Sequence, residues 1–128
     1  MSGNPLDAYQ SVEKTTLSGR ELEASVLMRA ALLLADVQSN WGKPSHEERL
    51  DNALRHNQRV WTLFQAEIIN PDHPLPAEIR QNLLSLSAFI DKRTFDVMAY
   101  PDPAKLDILI SINKNVAAGL RSEIGSGE

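Results

Sequence analysis

Residues 50 to 68 read LDNALRHNQRVWTLFQAEI. Within them Leu50, Leu54, Asn57, Trp61, Phe64 and Ile68 follow at steps of four, three, four, three and four. That spacing brings all six to one face of an α-helix. Five are apolar, and Asn57 is an amide. An amide inside an apolar stripe costs stability unless it is hydrogen-bonded. The stretch therefore predicts the central strut of a helical bundle, with a polar contact built into it.

The flanking sequence supplies partners for that strut. A first helix is expected from Ser18, where Ser18-Gly19-Arg20-Glu21 has the form of a capping box. Leu27, Ala30, Leu34, Val37 and Trp41 make its stripe, and Leu22, Val26, Met28, Leu32 and Leu33 broaden it. So broad an apolar face predicts contact with two or more neighbours. Asn40, Gly42 and Pro44 end it. Ser45-His46-Glu47-Glu48 repeats the capping-box form and opens the second helix, which runs to about Ile69. Pro71 and Pro74 break it.

A third helix is expected from Pro76, with Ile79, Leu83, Leu86, Ile90 and Val97 inward and Phe89, Phe95 and Met98 beside them. A fourth is expected from Pro103 to Ser122, with Leu106, Leu109, Asn113, Val116 and Leu120 as its stripe and Ile110, Ile112 and Ala117 widening it. Asn113 repeats the anomaly of Asn57. The fold expected is all-α, an antiparallel helical bundle of four main helices with a short N-terminal arm. The arm covers residues 1–17, the helical domain 18–122, and a disordered tail 123–128. In the arm, Leu6, Tyr9 and Val12 fit either one helical turn laid on the bundle or a loosely held segment.

Composition bounds the function. The 128 residues suit a single domain that buries about two-thirds of its unfolded surface. The chain has no cysteine, which excludes disulfides and thiolate metal sites and sits easily with a reducing cytoplasm. No signal peptide is visible. The longest strictly apolar run, Ala30 to Ala35, is far short of the ~18 residues of a membrane span. Net charge is −4, and no part of the chain is strongly basic, which argues against direct nucleic-acid binding.

Catalytic patterns are missing. His46, His56 and His73 form no metal-binding pair. Ser126 lies in the tail, outside any nucleophile elbow, and no glycine-rich phosphate loop occurs. The sequence reads as a non-enzyme without cofactor or metal. Three features carry two readings each. Asn57 and Asn113 either hydrogen-bond within the bundle and fix its alignment, or meet a partner's backbone. Trp61 is either core or an interface anchor. Arg49, Arg55, His56 and Arg59 form either a solvated face, balanced by Glu48 and Asp51, or a patch for RNA or an acidic partner.

Read together, the motifs resemble the flagellar biosynthesis regulator FlaF family of alphaproteobacteria. The resemblance rests on Tyr9 in the arm, Arg20-Glu21-Leu22-Glu23-Ala24, and Ala53-Leu54 with Asn57 leading to Val60-Trp61-Thr62. It continues through Pro74-Leu75-Pro76, Leu109-Ile110 with Ile112-Asn113, and Gly119-Leu120. Val60 replaces the family's Leu, and His73 stands where an Asn is expected. The resemblance implies a cytoplasmic, non-enzymatic protein needed for flagellin synthesis and export, with flagellin as partner and FlbT alongside. Two mechanisms follow from it: a flagellin-binding secretion chaperone, or a regulator of flagellin mRNA acting directly or through FlbT. A chaperone would shield an amphipathic flagellin segment in an apolar groove. Leu22, Val26, Leu32 and Leu33, with Phe89 and Phe95 and with Trp61 as a further anchor, are its candidate walls.

Overall fold

The computed structural model describes residues 19–126, with side chains as far as residue 122. Four helices run through them: α1 Gly19–Ser39, α2 His46–Ile68, α3 Ala77–Ala99 and α4 Leu106–Ser126, the last entered through a 3-10 turn, Pro103–Lys105. No strand occurs among the described residues. The fold is an all-α bundle.

α2 is the strut. All six residues of its stripe are buried, joined by Ala53 and Val60. α1 buries Ala24, Leu27, Ala30, Ala31, Leu34 and Val37. α4 is the helix with which α1 makes its most extensive contact. α1 and α4 run antiparallel and are tied at both ends. Arg121 Nε lies 3.0 Å from Glu21 Oε1. At the other end Gln38 Nε2 donates to the Pro103 carbonyl at 2.8 Å and to Asp107 Oδ1 at 2.7 Å. α3 packs on α2 and meets α4 only narrowly. Between α2 and α3, the Arg80 guanidinium donates to the carbonyls of Leu75, Ile68 and Asn70 and clamps the turn.

Several local expectations are corrected. Ser45 does not cap α2: with φ of 66° it sits in the left-handed region and makes no side-chain cap bond, whereas capping needs an extended backbone. Pro76 is the residue before α3, with φ −56° and ψ 148°, and the helix begins at Ala77. Pro103 opens the 3-10 turn, capped by Asp102, which accepts from the Ala104 amide at 2.9 Å. α4 continues past Ser122 to Ser126, so the expected tail from 123 is mostly helix. Nothing before 126 forbids it, since a glycine costs a helix only about 1 kcal/mol. The Ser18 capping box, the arm and residues 127–128 lie outside the described residues.

The inner face of α3 also differs. It is Leu83, Ser87, Ile90, Thr94 and Val97, so Ile79 is exposed and Leu86 only half-buried. Two hydroxyls are tolerated there because each has an acceptor, one within the helix and one across on α2. Thr94 Oγ1 donates to the Ile90 carbonyl at 2.7 Å, and Ser87 Oγ lies 3.4 Å from Gln65 Oε1.

Candidate functional site

The two amides of the sequence meet in the centre of the bundle. Asn113 Nδ2 donates to Asn57 Oδ1 at 2.6 Å, and Trp61 Nε1 donates to Asn113 Oδ1 at 2.8 Å. All three side chains are fully buried. The chain of bonds links α2 to α4 and pins one against the other. Asn57 Nδ2 is left without a partner. Trp61 is thus an interior group, with Phe64 edge-on at 5.5 Å between ring centroids.

The seam between α1 and α2 is open to solvent. At one end a hollow of about 190 Å³ is lined by Leu22, Glu23, Val26, Val60, Leu63, Phe64 and Glu67. Further along the same seam, Leu33, Val37, Asn52, Ala53 and His56 line a second hollow between Asp36 and Arg49. Leu22 and Leu63, on opposite walls, are each 64% exposed. Val26 and Leu33 are each 38% exposed. Leu22, Val26 and Leu33 recur at helical spacing, so they form one edge of α1 rather than scattered apolar residues. Two helices presenting such edges side by side offer a trough for a third helix.

Polar groups mark both parts of this trough. His56 Nε2 is buried with no partner. At the other end, Glu23, Glu67 and His73 bring their polar atoms within 4.8 Å of one another. Burial pushes the Glu23 carboxyl up to about 7, helped by a hydrogen bond to Glu67 and by its charge, while Arg20 opposes more weakly. Burial also lowers His73, with Arg20 and Arg80 acting the same way and Glu67 against. The trio has the donor types of a metal site, but its imidazole is turned against that use. His73 Nδ1 accepts from the Leu75 amide at 3.2 Å, so the neutral ring carries its proton on Nε2, the atom facing Glu23 at 3.9 Å.

Of the groove walls read from sequence, Leu22, Val26 and Leu33 come together on this seam. Leu32, Phe89 and Phe95 line neither hollow. Leu32 and Phe95 are exposed elsewhere, and Phe89 lies under the Arg93 guanidinium at 5.7 Å. The opposite wall, Val60 and Leu63, was missed. Leu63 falls outside the α2 stripe, and a single apolar residue off the stripe is a weak signal. The basic cluster is broken up: Arg49 pairs with Asp36 at 2.7 Å and Arg55 with Asp51 at 2.8 Å.

The comparisons with known proteins add one finding. A family model for the flagellar protein FlaF matches residues 5–120. No curated protein and no solved structure matches the chain.

Proposed function

The chain belongs to the FlaF family of flagellar proteins, and from that premise we propose that it binds unassembled flagellin and holds it ready for export. The observation that supports this reading is the solvent-open α1–α2 trough, whose apolar residues on both walls stand clear of a core that is already filled. An amphipathic flagellin helix laid there would bury its apolar face at i, i+4 and i+7 anchors. The protein would act in the cytoplasm before export, with FlbT as a second partner. No described helix is long and apolar enough to cross a membrane. A role on flagellin mRNA draws less support, because acids already engage Arg49 and Arg55.

The test is titration of purified flagellin with Leu22→Asp and Leu63→Asp variants. Both sites are mostly exposed, so circular dichroism should show an intact bundle. Affinity should fall about tenfold or more, the effect of placing a charge against a buried apolar face. Unchanged affinity in both variants removes the trough from the reading.

A further inference from the structure

The hollow at the Leu22 end of the trough has apolar walls and two acids in its lining. On α2, Glu67 lies one turn beyond Leu63, and on α1 Glu23 follows Leu22. Both carboxyls belong to the lining of the same hollow as Leu22, Val26, Val60 and Leu63. Three basic side chains lie near these acids: Arg80, His73 and Arg20. Arg80 is held by three carbonyls of the α2–α3 turn. His73 is fixed as a neutral ring by the Leu75 amide. Arg20 acts on both Glu23 and His73 through its charge.

We propose that the helix seated in this trough carries a basic side chain, about one turn past its apolar anchors, that lies between Glu23 and Glu67. The inference rests on the trough reading above and adds the partner's charge and direction. A lysine or arginine there would meet two carboxyls whose polar atoms lie within 4.8 Å of one another, with Glu23 partly shielded from solvent, where an ion pair is stronger than on open surface. The polarity also follows: only one of the two opposite orientations of a helix along the trough brings its basic end to the acids.

Binding of purified flagellin to the full chain is measured at about pH 6 and about pH 8 for the wild type, the Glu23→Gln/Glu67→Gln double variant and Leu63→Asp. The glutamines keep the shape and remove the repulsion between the acids, so the fold is not at risk. The wild type should bind several-fold tighter at the higher pH, as Glu23 ionises, and more weakly as salt rises. The double variant should bind about tenfold more weakly at about pH 8 and lose both dependences. If the double variant matches the wild type while Leu63→Asp still binds weakly, the basic anchor is wrong and the trough stands. If Leu63→Asp also binds normally, or the wild type binds no flagellin, the trough reading fails and the anchor with it.

Discussion

Replacing Asn113 with alanine should cost far more stability than replacing Asn57, although both are buried amides in one hydrogen-bonded chain. Asn113→Ala removes the acceptor for Trp61 Nε1 and the donor to Asn57 Oδ1. Two fully buried polar groups are then orphaned, at about 1–3 kcal/mol each, so a loss of about 4 kcal/mol is expected. Asn57→Ala orphans only Asn113 Nδ2. It also removes Asn57 Nδ2, which is already buried without a partner, and so recovers part of that cost. Its expected loss is about 1 kcal/mol.

Urea unfolding followed by tryptophan fluorescence gives both values, and the double variant gives their coupling. The double variant should lose at least about 2 kcal/mol less than the sum, because Asn57 Oδ1, orphaned by Asn113→Ala, and Asn113 Nδ2, orphaned by Asn57→Ala, are both absent from it. A larger loss for Asn57→Ala, or strict additivity, would refute the bond order Trp61 to Asn113 to Asn57.

Two further outcomes follow from local geometry. Ser45→Gly should raise the melting temperature by a few degrees, because Ser45 holds φ of 66° and makes no cap bond in return; a lower melting temperature would show that the hydroxyl has a role. Folding lifts the Glu23 carboxyl from 4.5 to about 7, so the native state keeps its proton longer than the unfolded chain. Stability should fall as pH climbs through that window, by at most about 3 kcal/mol. His73, lowered from 6.5, works the other way and loses stability as pH falls below that value. Glu23→Gln should therefore raise the urea midpoint above about pH 7 and change it little near about pH 4, below the unfolded value of 4.5; a gain that is the same at both pH values would refute the raised Glu23 carboxyl.

The strut was legible because its stripe is long, strictly spaced and almost wholly apolar. The same method found Leu83, Ile90 and Val97 on the inner face of α3 but missed Ser87 and Thr94 and wrongly included Ile79. There the inward positions Ser87 and Thr94 are small hydroxyls with acceptors of their own, on α2 and within α3 respectively, while Ile79, Phe89 and Phe95 stand outside. Periodicity weighs apolar content, so it was drawn to the larger side chains. Ser45 misled for a related reason: the capping-box letters are present, but Gly42 and Ser45 both take positive φ to turn the chain, and backbone direction overrides the cap. Half of the candidate site was readable from the excess apolar width of α1. The other half depends on which flank of α2 lies beside α1, and the sequence pattern does not carry that.

That excess width has a structural cause. α1 buries the small side chains Ala24, Ala30 and Ala31 completely, and α4 is the helix it contacts most extensively. Leu27 and Leu34 fill the remaining core. Leu22, Val26 and Leu33 are then surplus to the interior and remain on the α2 side. α2 reaches the same state by the opposite route, filling its interior with Trp61 and Phe64 and leaving Leu63 outside. A helix entering the trough meets apolar surface that the bundle has no use for, and no core contact has to break to admit it. Its binding energy is therefore not spent on opening the fold, whereas a site made by parting α2 from α4 would first have to break the Asn57–Asn113–Trp61 chain.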